Sequence, residues 1–320
     1  MTTPARRPSV AAVTRLPDRP GAGPPPLDLA QLDDARVLAV GRVPAGSRVL
    51  DLGTGDGAVP AALRRTGCRV RAVEVDPVVA ELARRGCEQV VVADVETLDL
   101  GAAFGAASAD VVLALDVLGW LRDPAPVLAR VAREVLDPNG WMVLSLPNVA
   151  HASVRLRLLA GRPGAPGGRP VPLRLFDARG KDELLAAAGL VEIGLERIAR
   201  PLDRADAELA AGDEQLLERL VGQPDALTAE YVVTAVPAGS PLVDDPPVLP
   251  AAAAQAVALR ALSRAEGLAG RLAELEPMAA GAGALLPRLE AMRTASLERR
   301  KTLRSLLVML EENLTRMREG

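Results

Sequence analysis

The 320 residues carry 38 Lys+Arg against 41 Asp+Glu, a net charge of −3, with 49% hydrophobic and 25% charged residues. That length holds about two domains and a buried core, and a near-neutral chain lacks the large field that grips nucleic acid or an anionic membrane. The aromatic rings are two Trp, two Phe and Tyr231, too few for a base-stacking platform; His151, Cys68 and Cys87 alone cannot supply the ligands of a zinc site or a disulfide framework.

The first residues, 1–34, carry Pro4, Pro8, Pro17, Pro20 and Pro24-Pro25-Pro26 and read as a disordered, proline-rich tail. Arg6-Arg7 is followed by too short an apolar stretch for an export signal, and no run reaches the ~18 apolar residues of a membrane helix. The expectation is a cytoplasmic, reduced protein with two free thiols.

From residue 35 the pattern changes. Apolar runs at 48–52, 70–75, 89–93, 110–115 and 141–146 read as strands. Between them, 58–66, 77–85 and 124–136 read as helices, the last stopped by Asp137-Pro138-Asn139-Gly140. Strands alternating with helices predict an α/β, doubly wound parallel sheet. Further on, 148–160 reads as a helix, although Val154-Arg155-Leu156-Arg157-Leu158 alternates like a strand. Asp177 is placed to N-cap a helix ending at Ala188, and 190–198 and 229–236 read as strands with a helix over about 204–220 between them. Residues 240–250 form a Pro-rich linker, and 251–320 a helical extension.

The first strand ends in Asp51-Leu52-Gly53-Thr54-Gly55-Asp56-Gly57. Glycines there let backbone approach a ligand at the carboxyl edge of the sheet. A dinucleotide site wants G-x-G-x-x-G and a pyrophosphate at the helix start. This loop is one residue short and carries Asp51 and Asp56, which would repel a pyrophosphate. The same carboxylates suit a ligand with an ammonium and a sulfonium, such as S-adenosylmethionine. Glu74, near the end of the second strand, stands where an acid accepts from ribose hydroxyls. Asp94, ending the third, can accept from an adenine amino group, with the Val95 amide beside the ring edge.

The segments 49–57, Val73-Glu74-Val75-Asp76-Pro77, Ala93-Asp94-Val95-Glu96 and 110–118 together resemble a class I S-adenosylmethionine-dependent methyltransferase. The resemblance covers roughly 35–239. It implies a Rossmann-like, seven-stranded sheet whose last strand is antiparallel, followed by a C-terminal helical extension. It also implies that Asp51, Gly53, Thr54, Gly55 and Gly57 line the methionine end, that Glu74 holds the ribose, and that Asp94 and Val95 hold the adenine. Asp116 would border the methyl group. Leu146-Pro147-Asn148-Val149-Ala150-His151, with 154–159 and Gly161-Arg162, is similar to a bacterial subgroup associated with cell-surface glycans and with a branch of methionine biosynthesis.

The chain departs from that pattern at two places. Gly119-Trp120 stands where relatives commonly carry Glu-His, and Pro172 stands within 171–176 where they carry a histidine. His151 and Asp116 remain as acceptor-side groups able to take a proton; for His151, helix capping is the competing reading. Two functions stay open. One is a methyltransferase acting on a small-molecule or glycan hydroxyl. The other is a cofactor-binding, weakly active partner protein working through its helical tail. Leu303, Leu307, Leu310, Leu314 and Met317 are spaced 4-3-4-3, a coiled-coil-like stripe that predicts a homo-oligomer or a protein partner through 284–318.

Overall fold

The computed structural model describes residues 27, 34–162, 172–202, 204–210 and 213–247. The linker's end, the helical extension and its heptad stripe lie outside the described residues, as does all of 1–34 except Leu27 and Asp34.

Seven strands form one sheet in the order β3-β2-β1-β4-β5-β7-β6. In chain order they are β1 Arg48–Leu52, β2 Arg69–Glu74, β3 Gln89–Val92, β4 Ala109–Ala114, β5 Leu136–Pro147, β6 Leu190–Ala199 and β7 Thr228–Pro237. The first five run parallel, and β7 is inserted antiparallel to both β5 and β6. This is the doubly wound sheet expected from the sequence, with its last strand reversed.

The helices are α1 Ala35–Val40, α2 Ala58–Arg65, α3 Pro77–Ala83, α4 Leu100–Phe104, α5 Pro124–Glu134, α6 Ala152–Leu159, α7 Ala178–Ala187, α8 Arg204–Glu208 and α9 Glu214–Val221. Strand residues alternate between two apolar faces, because the central strands are covered on both sides. Val49, Val111, Leu113, Val143 and Val232 pack with Leu38 of α1, Val59 and Leu63 of α2 and Ala80 of α3. Leu50, Leu52, Val112, Met142, Leu144 and Tyr231 pack on the other face with Leu128 and Val131 of α5 and Leu184 of α7. Leu27 is buried against Val37 and Ala62.

The structure differs from the expectation in three respects. Helix α5 stops at Glu134, before the Asp-Pro-Asn-Gly segment, and β5 begins at Leu136, opposite Ala109. The segment reads as a turn but is absorbed as an irregularity within the strand, the register shifting between Ala109 and Val111. Second, the helix expected over about 204–220 is two helices. Asp213 caps the second, its Oδ1 accepting from the Leu216 amide at 2.9 Å. Third, α1 and α4 are short helices that apolar periodicity does not reveal. Each is started by an aspartate cap, Asp34 and Asp99 respectively.

Candidate active site

The carboxyl ends of the five parallel strands meet along one edge, and the order reverses direction between β1 and β4. Ligands of open α/β sheets bind in the crevice at such a point. The β1–α2 loop sits there. Gly53, Gly55 and Gly57 all adopt positive φ, at 72, 57 and 80°. Gly57 shows why no side chain fits: a Cβ there would stand 2.8 Å from the Ala83 backbone of α3. The loop can therefore pack flat against α3 while its outer backbone faces the crevice. At Gly55 a Cβ would meet nothing within 4 Å, so the loop borders open space.

Carboxylates surround that loop. Asp51, at the end of β1, is 3% exposed. Burial pushes its carboxyl up to about 7; the Thr54 hydroxyl opposes the shift and the Glu74 charge adds to it. Glu74 ends β2 and is also buried. Its Oε2 accepts from the Gly55 amide at 3.1 Å, and its Oε1 accepts from the amides of Val75 and Asp76 at 2.9 and 3.1 Å. Asp56 Oδ1 accepts from the Ala58 amide, starting α2. Beyond β3, Asp94 is half-buried and its Oδ1 accepts from the Glu96 amide at 3.0 Å, while Val95 beside it is buried. The structure thus brings Asp51, Thr54, Gly55 and Glu74 together, with Asp94 and Val95 at the next strand end. This donor and acceptor set fits a cationic amino acid joined to a nucleoside: buried carboxyls, a further acid at the next strand end able to accept from hydroxyls, and an open backbone wall. It does not fit a pyrophosphate.

Past β4 the chain turns sharply. Asp116 is exposed and adopts φ 55°, a strained conformation for a residue other than glycine. Its amide donates to Ser145 Oγ of β5 at 2.9 Å, and that hydroxyl reaches Asp116 Oδ1 at 3.5 Å. Leu118–Trp120 then form a short 3₁₀ turn. At Gly119 a Cβ would lie 3.1 Å from the Pro172 side chain and 3.2 Å from the Arg174 carbonyl, and the Arg174 amide donates to the Gly119 carbonyl at 2.9 Å. The glycine in place of an acid lets 172–174 close over this turn. Trp120 beside it is half-buried.

His151 is the N-cap of α6 and is buried. Its Nδ1 accepts from the Ser153 amide at 3.2 Å and contacts the Ser153 hydroxyl at 2.7 Å. Nδ1 as acceptor leaves the proton on Nε2, which donates to the Arg200 carbonyl at 3.0 Å. Both ring nitrogens are engaged in holding α6 and the end of β6, the geometry of the capping reading.

Sequence reasoning missed Glu230, the third residue of β7. Because β7 is antiparallel, its first residues lie at the edge where the parallel strands end. Glu230 pairs with Pro147 and Ile198 in the sheet, and its carboxyl neighbours Asp116 and Ser145. Its Oε1 is buried without a hydrogen-bond partner. Burial, then the Asp116 charge, push the Glu230 carboxyl up to about 8. The available signal was a single acid opening an otherwise apolar strand. Among the described residues no group of His, Cys, Asp and Glu could hold a metal ion, and no helix is long and apolar enough to cross a membrane. Cys68 and Cys87 are buried free thiols.

A family model described as a methyltransferase domain matches residues 28–193. The chain belongs to that methyltransferase family. S-adenosylmethionine is its cofactor. The ubiquinone biosynthesis O-methyltransferases of Xanthomonas axonopodis pv. citri (strain 306) and Xanthomonas oryzae pv. oryzae (strain PXO99A) are each 33% identical, over 119 and 118 residues. Each match covers 36% of this chain and 49% of the relative, so the chain spans about half the length of the curated relatives it matches. Among solved structures, it is similar to an S-adenosylmethionine-dependent methyltransferase of Thermotoga maritima, with a TM-score of 0.46, 18% identity and coverage of 65% and 90% of the two chains. It is also similar to a Haloferax volcanii structure of the Trm112 methyltransferase activator in complex with a methyltransferase, with a TM-score of 0.45, 23% identity and coverage of 62% and 86%.

Proposed function

We propose that this methyltransferase-family chain transfers a methyl group to the hydroxyl of a small molecule or a glycan. One observation carries the reading: Asp51, Glu74 and Asp94 at the ends of β1, β2 and β3, each stepped two residues beyond the last across the sheet around the glycine loop, with the carboxyls of Asp116 past β4 and Glu230 at the start of β7 beside them. The first set suits the cofactor; the second suits an acceptor that must lose a proton. The curated relatives act on oxygen by name, which supports a hydroxyl acceptor over an amine.

The bound cofactor supplies an electrophilic methyl carbon, so the protein's task is largely placement. In this reading Asp51 and the loop of Gly53, Thr54, Gly55 and Gly57 hold the methionine end. Glu74 accepts from the ribose hydroxyls, exchanging part of its present bonding to the Gly55, Val75 and Asp76 amides. Asp94 and the Val95 amide border the adenine. Asp116 faces the methyl group. His151 supports the acceptor side by fixing α6 and the end of β6.

Calorimetry tests the binding half. The protein should bind S-adenosylhomocysteine and prefer it to NAD. Glu74→Ala should weaken S-adenosylhomocysteine by about 10-fold or more, since charge-assisted hydrogen bonds are each worth ~1.5–3 kcal/mol. Tighter binding of NAD, or no loss in Glu74→Ala, overturns the assignment.

A further inference from the structure

We propose that Glu230, set beside Asp116 and Ser145, is the proton acceptor on the acceptor side, and that the proton it holds would leave when a positively charged cofactor binds. The inference rests on the methyl-transfer reading above and adds a catalytic residue, Glu230, that no sequence motif marks.

The geometry has three parts. Glu230 and Asp116 come from opposite sides of β5, Glu230 on β7 and Asp116 after β4, and Ser145 of β5 lies between them. The Asp116 amide donates to Ser145 Oγ, which in turn reaches the Asp116 carboxylate. Glu230 has an oxygen buried without a partner at the edge where the strands end. A carboxyl that is buried beside a second acid does not ionise cheaply, so Glu230 retains its proton. The raised Glu230 pKa, about 8, agrees with this.

The other charged groups near the pair come from three elements. Arg200, after β6, favours the ionised form of Glu230. From the start of α1, Arg36 interacts with Asp116 and Asp56 but is held in a two-pronged pair with Asp34. Asp56, in the glycine loop, adds negative charge. His151 meets the Arg200 carbonyl through its ring N–H rather than the carboxyls. The described cations do not neutralise both acids, which leaves the pair responsive to a new positive charge.

A cationic centre bound near Asp116 would lower the affinity of Glu230 for its proton. With that proton gone, the Glu230 carboxylate can take the proton of the acceptor's O–H. The cofactor would supply the methyl carbon to which the acceptor oxygen bonds, the carbon–sulfur electron pair staying with sulfur. Glu230 is then protonated again, and a neutral thioether product would not oppose that state. The device arms the base only when a reactive methyl group is present.

The test compares S-adenosylmethionine with S-adenosylhomocysteine, which differ in charge at sulfur. Calorimetry of the full chain at pH 7.5, in two buffers of different ionisation enthalpy, counts the protons released by each. S-adenosylmethionine should release roughly half a proton more than S-adenosylhomocysteine. Glu230→Gln should abolish that difference while keeping S-adenosylhomocysteine affinity within about twofold of the parent. Asp116→Asn, at an exposed site where asparagine tolerates positive φ, should reduce it, burial alone still raising the Glu230 carboxyl. Equal proton release in the parent protein, or a difference that survives Glu230→Gln, overturns the inference while leaving cofactor binding intact. If neither ligand binds, the underlying methyl-transfer reading fails, and the inference with it.

Discussion

At the residue scale, the site is built on acids whose charge the fold resists. Asp51 is driven up to about 7 and Glu230 to about 8, both chiefly by burial. A carboxyl with a raised folded-state pKa keeps its proton in the folded chain after the unfolded chain has lost it. Between the two values the folded state binds more protons, so stability falls as pH rises. The window for Asp51 runs from about 4 to about 7, and for Glu230 from about 4.5 to about 8. Asp34 and Asp110 shift the other way, being paired with Arg36 and Arg48, so their stabilising contribution is lost only in acid, as pH falls through their depressed values. The ligand-free protein should therefore unfold at lower urea at pH 8 than at pH 5.5. Asp51→Asn should flatten that slope and stabilise the ligand-free chain at pH 8 by on the order of 1 kcal/mol, while weakening S-adenosylhomocysteine. An unchanged slope in Asp51→Asn means the buried acid is not held neutral. These acids were partly legible in the sequence. Asp51, Glu74 and Asp94 each close an apolar run, and parallel strands place such ends together. Glu230 escaped because an antiparallel strand brings its beginning, rather than its end, to the same edge.

At the element scale, α1 packs on one face of the sheet against β5 and β7, beside α2. Arg42, just past this helix, is buried and ties it down: its guanidinium donates to Thr234 Oγ1 of β7 and to Glu196 Oε1 of β6, the latter at 2.9 Å. A buried ion pair contributes little net stability, yet breaking one by removing a partner is costly. Glu196 is a quarter exposed and regains some hydration, which moderates the loss. Arg42→Ala should destabilise the protein by about 2–3 kcal/mol in urea unfolding. A loss below about 0.5 kcal/mol would mean that α1 holds by its apolar contacts alone. The helix was not legible because six residues carry too little periodicity, and its stability comes from Leu38 and Ala39 packing on the sheet. The start of β5 was misread for a related reason. Asp137-Pro138-Asn139-Gly140 has turn chemistry, but pairing of Leu136 with Ala109 and the Arg48–Asp137 ion pair hold it within the strand.

At the scale of the whole molecule, the sheet does two jobs with one edge. In the proposed reading, its parallel half offers the glycine loop and three acids to the cofactor, and its antiparallel insertion adds the Glu230 carboxyl on the acceptor side. In that reading the two halves together move a methyl group to oxygen. The most direct measurement is mass spectrometry of the full chain incubated with methyl-deuterated S-adenosylmethionine and a panel of phenolic, quinol and sugar hydroxyl compounds. The account predicts a product carrying the labelled methyl on oxygen, with one S-adenosylhomocysteine formed for each. Labelled methyl found only on nitrogen, or no transfer to any member of the panel while S-adenosylhomocysteine still binds, would contradict it.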